Sequence, residues 1–291
     1  MKSKLGLGTA QFGLNYGIAN SSGQPNLSEV RSILQFAHSK GIELIDTAAA
    51  YGSSEVAIGG SGEADAFKIV TKIPKLTPNS LSVTESLNYS CQKLKVERVY
   101  GLLFHHVDDL LGPHGKNLWK DALELKKSGL VTKIGASIYS PDQVDSLLTH
   151  FRPDLIQVPL NLFDQRLIHG GQLKKLKSFG VEIHVRSVFL QGVLLMDPKN
   201  LPDFLGDAAP PLKKLQARAE ALGLSPLQFS LGFVLGLPEV DCVIVGVDGL
   251  VQFQQILDQI ESLGTGIQID RPIDFAVQSE RVINPVLWPA R

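Results

Sequence analysis

Short apolar runs and longer amphipathic stretches alternate along the chain from end to end. Runs at 4–9, 42–45, 67–71, 98–104, 132–137, 154–158, 181–186 and 242–245 are rich in leucine and β-branched residues and predict strands. Residues 28–40 carry Val30, Ile33, Leu34 and Ala37 at helical spacing, and Gly41 predicts the stop. A short helix is expected near 54–59. Another is expected near 80–94, with Leu87, Cys91 and Leu94 on one face, and a third near 116–128, ended by Gly129. Ser140-Pro141-Asp142-Gln143 and Ser225-Pro226-Leu227-Gln228 read as capping boxes with proline at the first helical position. Helices near 170–179, through Leu212, Leu215, Ala219 and Leu222, and near 250–262 complete the series. Residues 192–211 read as a long connection, and the tail from about 265 to 291 as irregular.

Eight strand candidates, each followed by a helix, predict an α/β protein whose strands close into one eight-fold barrel rather than an open doubly wound sheet. The length of 291 residues suits one such barrel or two ordinary domains. No shift in composition marks a second domain, so residues 1–291 are expected to form a single barrel domain. A hydrophobic share of 44% and a charged share of 20% suit a globular enzyme. The net charge of −1 and the lack of a basic run give no support to a nucleic-acid partner. No apolar run approaches a membrane span, so no membrane partner is expected. The opening Met-Lys-Ser-Lys-Leu-Gly-Leu-Gly is too short and glycine-broken for a signal peptide, which predicts a cytoplasmic location. Cys91 and Cys242 fall inside apolar patterns and read as small buried hydrophobes rather than a disulfide.

Four polar residues close strand candidates or lie just beyond them: Asp46, Tyr51, Lys72 and His105. A parallel barrel gathers such ends on one face, where barrel active sites lie. Taken singly, each has an ordinary explanation: a packed aromatic, a solvated lysine, an aspartate capping a helix. Together they suggest proton transfer to or from a carbonyl or alcohol. Lys72 is the candidate ammonium beside the Tyr51 phenol, expected to lower its pKa, with Asp46 holding Lys72 and His105 either bonding the substrate oxygen or relaying a proton. The neighbouring His106 is a rival to His105. Adjacent strand residues point to opposite faces, so only one of the two should face the barrel centre, and no metal is expected.

Several stretches resemble the aldo-keto reductase superfamily: Leu5-Gly6-Leu7-Gly8-Thr9-Ala10-Gln11-Phe12-Gly13, Asp46-Thr47-Ala48-Ala49-Ala50-Tyr51-Gly52, Thr71-Lys72, Leu102-Leu103-Phe104-His105, Lys133-Ile134-Gly135-Ala136-Ser137 and Gln157-Val158-Pro159-Leu160-Asn161. The likeness runs in order from about residue 4 to about 260. It implies a (β/α)8 TIM barrel that reduces a small-molecule carbonyl with a nicotinamide cofactor and no metal. Asp46, Tyr51, Lys72 and His105 become the catalytic four, with Tyr51 as proton donor. The resemblance also implies cofactor contacts at Gly8, Thr9, Ser137, Gln157, Arg186, Ser187, Phe189, Gln191, Gly192, Gly246, Val247, Asp248 and Gln254, with Gln254 and Gln255 in the region that other members set against the adenine.

The chain departs from the family pattern in places. Ile138 follows Ser137 where asparagine is usual. Arg186 stands where an aromatic often stacks on the nicotinamide, and it suits a cofactor phosphate, an anionic substrate or a salt bridge within the barrel. Asp248 lies where a basic residue often meets the 2′-phosphate of NADP, so NADP(H) is the family expectation and NAD(H) its competitor. Phe12, Tyr16, Tyr139 and the 106–116 loop are candidate pocket walls. Two rival readings are a Schiff-base aldolase using Lys72 and a regulatory protein that binds the cofactor with little turnover. The fold is expected to work as a monomer.

Overall fold

The computed structural model describes residues 4–20, 22–77, 80–263 and 272–289. Its strands are β1 (Leu5–Gly8), β2 (Leu44–Asp46), β3 (Lys68–Ile73), β4 (Val99–Phe104), β5 (Val131–Ser137), β6 (Leu155–Pro159), β7 (Glu182–Arg186) and β8 (Cys242–Gly246). Each pairs in parallel with the next, and β8 pairs with β1 to close the barrel. Helix α1 (Leu27–Ser39) follows β1, α2 (Ser54–Ser61) follows β2 and α3 (Val83–Leu94) follows β3. Then come α4 (Asp108–Leu111) and α5 (Gly115–Lys127) after β4, α6 (Pro141–His150) after β5, and α7 (Arg166–His169) and α8 (Gln172–Ser178) after β6. The set ends with α9 (Ala209–Ala221), α10 (Pro226–Leu235), α11 (Leu250–Ser262) and α12 (Glu280–Ile283). The fold is a (β/α)8 barrel. No helix among the described residues is long and apolar enough to cross a membrane.

The helix ends follow their local chemistry. Asn26 accepts from the Glu29 amide to start α1, whose buried face is Val30, Ile33, Leu34 and Ala37. Gly41, at φ +76°, takes the left-handed turn after that helix. Ser225 and Gln228 form a complete capping box. The Ser140 box is only half formed. Ser140 accepts from the Gln143 amide, but Gln143 Oε1 accepts from the Tyr139 amide at 2.9 Å instead of closing back on Ser140.

Alternation along the strands divides the apolar residues between two cores. Leu5 and Leu7 join the large core under the helices, while Leu44, Val70, Leu103, Leu155, Cys242 and Ile244 form a separate cluster in the barrel lumen. Gly6 leaves room for this cluster, since a Cβ there would lie 2.7 Å from Ile244 Cδ1. Below it, Glu182 accepts from Tyr100 Oη at 2.8 Å, bonds His184 Nε2 at 2.7 Å and pairs with Lys133. The tail is more ordered than its sequence suggests. Residues 265–271 and 290–291 lie outside the described residues, but from 272 onward the tail forms short turns and α12. It docks through Phe275 on Phe229, with ring centroids 5.4 Å apart, and through Glu280 on Arg166.

Candidate active site

The next inward positions above the luminal cluster carry polar groups. Asp46 lies two residues beyond Leu44, Lys72 two beyond Val70 and Gln157 two beyond Leu155, so the period of two aims all three into the upper lumen. Lys72 Nζ lies 2.8 Å from each carboxylate oxygen of Asp46, 2.9 Å from Thr47 O and 3.3 Å from Tyr51 Oη. Gln157 Nε2 donates to Asp46 Oδ1 at 2.7 Å, leaving Gln157 Oε1 buried without a partner. Lys72 is 1% exposed and Asp46 3%, so the pair is essentially dry.

Tyr51 reaches this pair from the loop after β2. Two glycines allow it. A Cβ on Gly13 would sit 1.9 Å from Tyr51 O, and one on Gly52, itself at φ +56°, would sit 2.2 Å from Gly13 O. Behind the loop, Ser54 Oγ donates to Thr9 O at 2.8 Å, and Thr9 Oγ1 donates to Asp46 O at 2.9 Å. The His105 ring meets Tyr51 edge to face at 5.8 Å. His106 is not on the opposite face: its ring lies 5.3 Å from that of His105, because β4 ends at Phe104 and strand alternation stops there.

The charges differ from the expectation for Tyr51. The Lys72 ammonium is matched by Asp46. Burial, then the Asp46 carboxylate, push the Tyr51 phenol up, so it stays protonated across the ordinary pH range. Burial pulls the Lys72 ammonium down, against the pull of Asp46. Burial first, then Lys72, His106 and Arg186, hold His105 down to about 3, which keeps the imidazole neutral.

A cavity of about 340 Å³ opens from Asp46 and Tyr51 and runs across the ends of β1, β7 and β8 toward α11. Of the residues expected at a cofactor, Gly8, Thr9, Arg186, Ser187, Phe189, Gln191, Gly192, Gly246 and Asp248 line it. Ser187, Leu190, Gln191 and Gly192 all have positive φ, a strained turn that wraps the cavity wall.

A model of the aldo/keto reductase family matches residues 4–265. The chain belongs to this family. Among curated relatives, the NAD(P)H-dependent 6′-deoxychalcone synthase of Glycine max is 30% identical over 48% of this chain and 50% of its own length. The D-arabinose 1-dehydrogenase of Saccharomyces cerevisiae is 24% identical over 52% of this chain and 54% of its own. The chain thus spans about half the length of the curated relatives it matches. An aldo/keto reductase from Klebsiella pneumoniae, solved in complex with NADP and acetate, superposes with a TM-score of 0.69. It is 17% identical over 99% of this chain and 93% of its own. The holo form of an aldo-keto reductase from Bacillus halodurans gives 0.73 at 18% identity, covering 96% of this chain and 95% of its own.

In this aldo/keto reductase family member the remaining expected contacts fall outside the cavity wall. Ser137, Gln157 and Val247 are buried; of the catalytic four, Asp46 and Tyr51 line the cavity, Lys72 is buried against Asp46, and His105 is half-buried beside Tyr51. Of the two glutamines expected toward the adenine, Gln255 lines the cavity and Gln254 does not. Gln252, Gln255, Ile256 and Gln259 line the cavity, and their spacing of three and four turns Gln254 outward. Gln11, within the Leu5–Gly13 motif, also lines the cavity, against Gly246, a contact the sequence reading lacks. Of the expected pocket walls, Tyr16 lines the cavity, whereas Phe12 is fully buried in the core.

Proposed function

We propose that the protein reduces an aldehyde or ketone with a nicotinamide dinucleotide, Tyr51 giving the proton. The observation that carries this reading is the hydrogen-bonded Tyr51–Lys72–Asp46 cluster at the mouth of the cavity. When bound, the nicotinamide supplies a hydride to the carbonyl carbon. Tyr51 donates its Oη proton to the carbonyl oxygen as negative charge gathers there. Lys72, 3.3 Å away, stabilises the phenolate left behind, and Asp46 fixes the ammonium in place. His105 is neutral, so it donates one hydrogen bond to the substrate oxygen without bringing charge.

The residues present fit the cofactor. Gln157 Oε1 lacks a partner and can accept from a carboxamide. Gly8 and Gly246 expose backbone in the cavity wall, and a Cβ at Gly246 would lie 2.7 Å from Gln11. Ser187, Phe189, Gln191 and Gly192 would hold the pyrophosphate. NADP(H) is the partner that the Klebsiella complex suggests. A second reading, NAD(H) in its place, is favoured by the far end of the cavity. There Asp248 lies against Gln252, and the Leu250 amide already donates to Glu29 Oε1 at 2.7 Å. Those carboxylates oppose an added phosphate.

A Schiff-base role for Lys72 is disfavoured, because Asp46 pairs with its ammonium at 2.8 Å, whereas an amine that attacks a carbonyl must be unprotonated and unpaired. Fluorescence titration with NADPH and NADH, followed by assay of Tyr51→Phe on a carbonyl panel, tests the proposal. The expected result is binding of at least one dinucleotide and a loss of about 10²- to 10⁴-fold in kcat for the variant. Folded protein that binds neither would overturn it.

A further inference from the structure

Arg186 has a charge that the protein itself leaves unanswered. It is the third inward position of β7, after Glu182 and His184, and it reaches the cavity beside Tyr51. Among the described residues its only hydrogen bonds are long and to neutral atoms, Ser187 Oγ at 3.3 Å and Ile138 O at 3.4 Å. Among the described residues no carboxylate lies within 4.0 Å of it. Arg166 shows the contrast: half-buried like Arg186, it is tied to both Asp164 and Glu280. Lys72, the other cation at the mouth, is matched by Asp46, so the net charge facing the reacting groups is the positive charge of Arg186.

The guanidinium is also held in place. It stacks over the Tyr139 ring with 4.3 Å from its carbon to the ring centroid. Tyr139 is itself fixed, its amide donating to Gln143 Oε1 and its carbonyl accepting from Arg166 Nη2. A stacked guanidinium keeps its edge free for a planar or tetrahedral anion. After burial, Arg186 is among the charges that act on Tyr51, Lys72 and His105, which places its field on the reacting groups.

We propose that Arg186 selects carbonyl substrates that carry an anionic group, a carboxylate or a phosphate, and anchors that group while the carbonyl meets Tyr51. The proposal rests on the reductase reading above. It is tested by kcat/KM for short carboxylated and phosphorylated aldehydes, each against the uncharged aldehyde of the same chain length. The wild type, Arg186→Met and Arg186→Lys are compared, with thermal melting to establish that each is folded. The expected result is a wild-type preference for the charged member. Arg186→Met should cut the charged-to-uncharged ratio by about 10- to 100-fold, mostly through KM, and Arg186→Lys should restore part of it. The carboxylate and phosphate arms identify which anion is taken. A ratio that Arg186→Met leaves unmoved overturns the proposal. So does a weakened dinucleotide Kd with an unmoved ratio, which would assign Arg186 to the cofactor. Wild-type protein that turns over no carbonyl at all would instead remove the reductase reading, and this proposal with it.

Discussion

His105 sits in its site as a neutral base at a cost that pH should reveal. Its pKa is held at about 3, against an ordinary 6.5, chiefly by burial. Unfolded chain therefore takes up a proton that the native protein refuses as pH falls below about 6.5, and the native state loses stability on that side. The slope should approach about 1.4 kcal/mol per pH unit between those limits. Urea unfolding of wild type and His105→Gln at several pH values checks this: the variant should show a shallower slope. An identical slope would mean that His105 titrates normally. That Asp46, Tyr51, Lys72 and His105 would gather at one end of the barrel was legible in the sequence, because each closes an apolar strand run or lies just beyond one. What the sequence did not show was the electrostatic balance. Lys72 was expected to lower the Tyr51 pKa, but at 2.8 Å from both oxygens of Asp46 its charge is already answered.

Among the elements, the loop after β2 depends on two glycines in contact. Gly13 leaves no room for a side chain against Tyr51 O, a backbone atom that cannot swing aside. Gly13→Ala should therefore displace the Tyr51 loop, lowering kcat by at least about tenfold, and destabilise the fold by about 1–3 kcal/mol. Assay and melting of this variant test the point, and unchanged kcat would show that the loop adjusts without moving the phenol. The helices were well marked, since their caps are local chemistry. Both Ser-Pro starts were readable, but the partner of Gln143 was not, because the Tyr139 amide competes for it. Gln254 shows the same limit on α11. The sequence sets both Gln254 and Gln255 toward the adenine, and helix rotation brings only Gln255 to the cavity.

Across the whole molecule, Glu182 closes the floor of the barrel at the end remote from Tyr51. Burial opposes its ionisation, but His184, Lys133 and Tyr100 overcome this and hold it at about 2. Its contribution should be complete above the ordinary carboxylate range and fade as pH falls toward 2. Glu182→Gln should cost about 2 kcal/mol at neutral pH, reduced from a fully buried pair because Lys133 is partly solvated. Thermal melting across pH tests this, and a variant as stable as wild type would show the cluster to be neutral. Strand order and barrel closure were open to a reading of the sequence, because alternation of apolar runs with amphipathic helices is a one-dimensional signal that the βα connection rules convert into topology. Tertiary structure alone decided which cations are paired, how the tail docks on Phe229 and Arg166, and that Arg186 faces the cavity without a counter-ion among the described residues. Those outcomes depend on groups distant in sequence, such as Asp46 and Gln157 or Arg166 and Glu280, whose meeting no local pattern encodes.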